Sequence, residues 1–235
     1  MAIDDPSIQS AKAMARLSGF SYLMYTSFGA YITFGPVPVT RVFADPATAP
    51  AGAELLLRTG IVAETVLYVF VAIAAAAMYA ALKPVSPGLA IVGGFCRLVE
   101  AALGAVFIVV KYAAFQALVH PGFGEVFTAE ERLGVNRLLV SVAGSGFFVL
   151  LIFMGVGAAI LFALFFRARF IPRWLAAWGV LTYLVMIALS ASILIHPPIQ
   201  DFVMVFFLPG SLFELVAGLW LLFAGINTEH WTRQR

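Results

Sequence analysis

Five ionisable side chains in this sequence stand inside long apolar runs, where a charge has to have a partner or a task. The central one is the run from Gly88 to His120, which carries Arg97, Glu100 and Lys111. Two others carry Glu64 and Glu214. At about 100° per residue, Glu100 and Lys111 differ by only about 20° around a helix, and Arg97 lies about 60° from Glu100. All three therefore share one helix face. That face must look into the protein, because lipid leaves a stranded charge unsolvated.

Depth can be read from the rise of a helix. Counted from Gly88, Arg97 lies about 14 Å and Glu100 about 18 Å along the run. Glu214 lies about 18 Å from Phe202, entering from the other side, and Glu64 about 9 Å beyond Arg58. Glu100 and Glu214 thus fall near the midplane and Glu64 in the outer third, so three runs each bring a carboxylate and one brings the deep cation. The expectation is a buried polar centre of Glu64, Arg97, Glu100 and Glu214, with Arg97 paired to one of the carboxylates. The carboxylates left over would carry protons or hold a cation or an amine. The plain alternative is a set of ion pairs that only locks helix packing.

Other features are secondary. Pro209-Gly210 falls inside an apolar run one turn before Glu214, and proline there would free a backbone carbonyl near Val205. Broken helices beside a charge occur in transporters, and membrane helices also tolerate them structurally. Gly60…Glu64 and Gly210…Glu214 share a spacing, for which coincidence is the simpler reading. Ser141 and Ser145 share a helix face and would hydrogen-bond to a neighbour. His120 and His196 lack metal-ligand spacing and read as solvated helix ends. No nucleophile elbow or phosphate loop is present, and Gly144-Ser145-Gly146 reads as helix packing. The residues imply no catalytic set, no metal and no particular cofactor.

The elements that position these residues follow from composition. Of 235 residues, 63% are hydrophobic and 11% are charged, and mean hydropathy is +1.01. A soluble domain needs more polar surface than that. The runs are apolar throughout, unlike the alternating strands of a membrane barrel. The expected fold is all-α: one polytopic transmembrane helical bundle filling the chain, with spans at about 17–34, 56–82, 88–119, 131–166, 174–195 and 202–226. The net charge of +2 argues against nucleic acid. The lone Cys96 excludes an internal disulfide and reads as a packing residue.

Local signals set the boundaries. Asp5 and Pro6 suit a helix start, and the first run reads as an uncleaved helix rather than a secretory signal. Residues 35–55, with Pro36, Pro38, Pro46 and Pro50, read as a re-entrant or surface loop. Lys83 to Pro87 is a tight turn, and Pro121-Gly122 ends the third run. Thr128 and Glu131 fit a capping box. Gly155, Ala159 and Ala163 form a small-residue seam, open to a neighbouring helix or a partner chain. With six spans, Lys12, Arg16, Lys83, Arg167, Arg169, Arg173, Arg233 and Arg235 gather on one side, which puts both termini in the cytoplasm. Trp174, Trp178, Trp220 and Trp231 fall toward the same side, as an aromatic belt would.

Several pieces, in order, carry a family likeness. They are Arg16-Leu-Ser-Gly19, Arg58-Thr-Gly60-Ile-Val-Ala-Glu64, Leu82-Lys-Pro84, Phe95-Cys-Arg97-Leu, Phe170-Ile-Pro172-Arg173, and Pro209-Gly210 with Glu214-Leu and Leu219-Trp220-Leu-Leu. From about Arg16 to Ile226 the chain resembles the bacterial integral-membrane family known as the domain of unknown function numbered forty-three eighty-six. The resemblance implies a six-helix protein of the bacterial inner membrane, and it brings no activity and no site residues. One departure is visible. The family pattern leads one to expect a histidine or another strongly polar residue early in the fourth helix, and this chain has Asn136, Arg137, Ser141 and Ser145.

Three functional readings follow. The first is small-molecule or proton-linked binding or transport through the Arg/Glu centre, gated near Pro209. The second is an accessory or assembly subunit of a larger membrane complex. The third, a lipid-active membrane enzyme, lacks a nucleophile or metal set. The expected partners are the bilayer, a small-molecule ligand, and a membrane protein or a second copy of the chain.

Overall fold

The computed structural model describes residues 6–35, 53–200 and 205–234. The proline-rich connection expected at 35–55 lies outside them over 36–52, as does Asp5. Every regular element among the described residues is helical. They are α1 (Pro6–Phe34), α2 (Ala53–Leu82), α3 (Pro87–Val119), the short α4 (Pro121–Val126), α5 (Ala129–Ala168), α6 (Arg173–Ile195), α7 (Leu208–Leu219) and the short α8 (Thr228–Thr232). A π turn, Trp220–Ala224, continues α7. It ends at Gly225, whose φ of 69° suits glycine.

Five helical segments are long and apolar enough to cross a membrane: 54–82, 87–119, 129–168, 173–195 and 205–224. The sixth long helix, α1, has 29 residues but falls outside that group. It carries Ser18, Ser21, Tyr22, Tyr25, Thr26 and Ser27 among its apolar residues. These polar side chains lower its hydropathy, and several of them serve the site described below.

Neighbours in sequence are neighbours in space. α1 packs on α2, α2 on α3, α3 on α5, α5 on α6 and α6 on α7, while α7 and its π turn return against α1. The six long helical segments therefore close a ring. Its interior holds Tyr22, Met78, Phe148, Phe162, Tyr183 and Phe213. Phe162 sits at the hub, stacked on Tyr183 at 5.8 Å and edge-on to Phe213 at 5.0 Å between centroids.

The capping box at the start of α5 is present. Thr128 Oγ1 accepts from the Glu131 N–H at 3.3 Å, and Glu131 Oε2 accepts from the Thr128 N–H at 2.8 Å. Thr128→Ala is expected to fray this end, exchanging the amides of 129–132 about fivefold faster. Hydrogen–deuterium exchange resolved to that peptide checks it, and unchanged protection there would rule the cap out as a stabiliser.

Several expectations need correction. Pro209 does not interrupt a helix: a 3-10 turn, Val205–Phe207, gives way to α7 at Leu208, so Pro209 occupies the first turn. Proline is well tolerated there because the first N–H groups lack helical acceptors anyway. Ser141 and Ser145 are exposed on the outside of α5. Asn136 makes the cross-helix bond instead, donating from Nδ2 to the Ala114 carbonyl of α3 at 2.9 Å. Trp231 is buried rather than part of a belt, and its Nε1 donates to the Ala81 carbonyl at 3.3 Å. The small-residue seam is used internally at Gly155, where an added Cβ would lie 3.0 Å from the Tyr183 carbonyl of α6.

Candidate functional site, a buried Arg/Glu/Tyr centre

Arg97 and Glu100 come from one turn of α3, so their pairing is set by helical spacing. Arg97 Nη1 lies 2.6 Å from Glu100 Oε2. Arg97 is 0% exposed and Glu100 3%. The contact is close, but it lacks hydrogen-bond alignment: no nitrogen of the guanidinium, and not Glu100 Oε2 either, makes a hydrogen bond among the described residues. It is an ion pair with donor capacity to spare. Gly157 on α5 makes room for it, since an added Cβ there would fall 3.0 Å from Arg97 Cγ and 2.7 Å from the Gly93 carbonyl.

Glu214 reaches the same region from α7, also buried at 8% exposure. No cation pairs with it among the described residues; three hydroxyls do. Oε1 accepts from Tyr183 at 3.1 Å and from Tyr25 at 3.4 Å, and Oε2 accepts from Thr26 at 3.2 Å. The Tyr22 hydroxyl stands 3.3 Å from that of Tyr183. Tyr25 links the two halves: its hydroxyl serves Glu214, while its ring faces the Arg97 guanidinium at 5.6 Å. The attraction of a cation to a ring face adds to the pairing. The centre thus draws on α1, α3, α6 and α7.

Glu64 was expected here and is not. It pairs with Lys111, which donates from Nζ to Oε1 at 2.6 Å and to Oε2 at 2.9 Å. Lys111 is eleven residues beyond Glu100, about 16 Å along α3. Its side chain is 21% exposed and that of Glu64 12%, so this pair is less dehydrated. Tyr68 lies between the two pairs, its ring against the bare Cα of Gly104. α3 therefore carries two ion pairs on one face.

Tyr22, Tyr25, Thr26 and Tyr183 were not singled out in the sequence. A signal exists for the first two. Ser18, Ser21, Tyr22 and Tyr25 stand at i, i+3, i+4 and i+7, the spacing of a buried helix face. A polar stripe at that spacing inside an apolar helix marks partners for buried charge. Tyr183 has no such signal, being one tyrosine in an apolar run.

The sequence pattern of one family, described as domain of unknown function (DUF4386), matches residues 17–225. The chain belongs to the DUF4386 family. No curated protein and no solved structure matches it. The DUF4386 match contains every residue of the polar centre, from Tyr22 to Glu214, together with the Glu64–Lys111 pair. The first turns of α1 and the whole of α8 lie outside it. The DUF4386 description carries no activity, so function has to be argued from the site.

His120 is occupied locally: its Nδ1 accepts from the Gly122 N–H at 3.2 Å and caps α4. Among the described residues no three His, Cys, Asp or Glu side chains gather as a metal site would require.

Proposed function

We propose that this DUF4386 protein is a proton-linked binding or transport protein of the bacterial inner membrane, and that Glu214 is the group that exchanges the proton. The observation that carries this reading is the division of labour in the centre. Arg97 makes its ion pair with Glu100, while the hydrogen bonds to Glu214 among the described residues come from hydroxyl groups. A carboxylate cradled by hydroxyls can lose or regain a proton without breaking an ion pair. Tyr183 in turn meets the Tyr22 hydroxyl of α1, so the hydrogen bonds of Glu214 continue within the interior. The Arg97 nitrogens that find no acceptor among the described residues suit an ordered water or an anionic group of a small ligand, because a buried guanidinium nitrogen without an acceptor is costly.

In this reading α1 is the sixth span. Its length and its place in the ring between α2 and α7 support that, with its polar face turned inward to the site. Both termini then lie in the cytoplasm with the basic turn 167–173.

The second reading, an accessory subunit, draws on a different observation. Two open clefts lie away from the centre. One of about 290 Å³ lies between α1 and α2, lined by Met24, Tyr31 and Ala63. The other lies beside Arg169.

Infrared difference spectroscopy during a pH titration separates the two. The parent protein should show a titrating carboxylic-acid band that is absent in Glu214→Gln. Proteoliposomes of this variant should also lose any pH-dependent uptake shown by the parent. An unaltered set of carboxyl bands would end the proton-linked reading and leave a structural centre.

A further inference from the structure

The chain between α5 and α6 builds a second site, independent of the polar centre. α5 ends at Ala168, and the next residue, Arg169, has φ 56°, ψ 34°, the left-handed conformation that stops a helix. α6 restarts at Arg173 behind Pro172, with no side chain capping its N-terminus. Its first helical bond runs from the Ala176 N–H to the Pro172 carbonyl at 3.1 Å. The N–H groups of Arg173, Trp174 and Leu175 therefore have no acceptor inside the helix. The end of the π turn is tied to this corner, because the Asn227 N–H donates to the Phe170 carbonyl at 2.8 Å.

Beside this tie lies an open cleft of about 410 Å³, lined by Arg169, Pro172, Arg173, Trp220, Gly225 and Asn227 among others. Arg169 and Arg173 are exposed, and among the described residues no carboxylate pairs with either. Arg173 rests over the ring of Phe166 at 4.7 Å. Trp174 is 58% exposed and Trp220 36%. Two arginines without a carboxylate partner among the described residues, standing beside the start of α6, make a phosphate-accepting corner. Flanking tryptophans are the side chains that sit at headgroup depth.

We infer that this cleft binds the phosphate headgroup of an anionic phospholipid. Arg169 and Arg173 hold the phosphate, and Trp220 packs against the glycerol end of the acyl chains. The cleft is open, so the acyl chains run outward along α6 and the π turn.

The test uses the full chain, stripped of lipid in detergent and titrated with phosphatidylglycerol or phosphatidylcholine, with bound lipid counted by native mass spectrometry. The expected result is preferential retention of phosphatidylglycerol. Affinity should fall about fivefold in Arg169→Asn and about thirtyfold with Arg173→Gln added. Asparagine keeps the left-handed residue unstrained, so the first variant folds even if the second does not. Arg167→Gln, outside the cleft, should retain parental affinity. Equal loss in Arg167→Gln would reduce the effect to general surface charge and overturn the site. Inorganic phosphate is the second arm. Quenching of tryptophan fluorescence by phosphate, without any preference between the two lipids, would overturn the lipid assignment in favour of a soluble anion. No lipid preference and no response to phosphate would overturn the site altogether.

Discussion

Arg97→Ala is expected to destabilise the protein by about 3–5 kcal/mol, the cost of leaving a buried charge without its partner. The magnitude follows from position. Arg97 is 0% exposed, and its Nη1 is 2.6 Å from a Glu100 carboxylate that is itself 3% exposed. Removing the guanidinium strands Glu100, removes the cation facing the Tyr25 ring and opens a void beside Gly157. Unfolding by denaturant in detergent, followed by helical circular dichroism, reads the loss. The double variant Arg97→Met with Glu100→Leu should recover most of it, because a pair of well-packed apolar side chains replaces a buried ion pair at little cost. Parental stability in Arg97→Ala alone would mean that Glu100 is not relying on this partner.

Gly157→Leu should be the next most damaging change, at about 1–3 kcal/mol or more. An added Cβ at this position meets the Gly93 carbonyl at 2.7 Å and Cys96 Cβ at 2.9 Å, and the rest of a leucine would extend into the space of Arg97. The obstacle on α3 is backbone, which cannot rotate away as a side chain can. The α3–α5 contact must therefore open, and the ion pair must shift with it. Gly144→Leu is the matched control on the same helix, because nothing lies within 4 Å of its added Cβ. A lower melting temperature for Gly157→Leu and a parental one for Gly144→Leu are the expected pair of results. Equal melting of all three proteins would mean that α3 and α5 do not approach so closely.

Both predictions depend on one property of the chain: apolar helices approach closely enough to shut water away from ionised groups. The same property explains the selection of polar residues on α1. A helix that supplied only apolar surface would remove two of the three hydroxyls that donate to Glu214 among the described residues, those of Tyr25 and Thr26, leaving Tyr183 of α6. Polarity that lowers the apolar character of α1 is thus what the interior requires of it.

The sequence by itself determined the helices and much of the pairing within one turn. Unbroken apolar runs specify helix in lipid, since each segment must satisfy its own backbone. The box at Thr128 and Glu131 and the termination of α3 before Pro121 were legible because caps and breakers act within a few residues. The spacing of Arg97 and Glu100 placed them on one face for the same local reason. Only the tertiary structure decided which helix meets which, and at what height. Glu64 had an equal formal claim on Arg97, yet the register of α2 against α3 gave it to Lys111. Likewise, no local rule brings Tyr183 of α6 to Glu214 of α7, or sets Ser141 and Ser145 outward and Gly157 inward. Those outcomes depend on helix rotation and register, which are fixed by side-chain packing between segments far apart in the chain, and hydropathy carries no record of them.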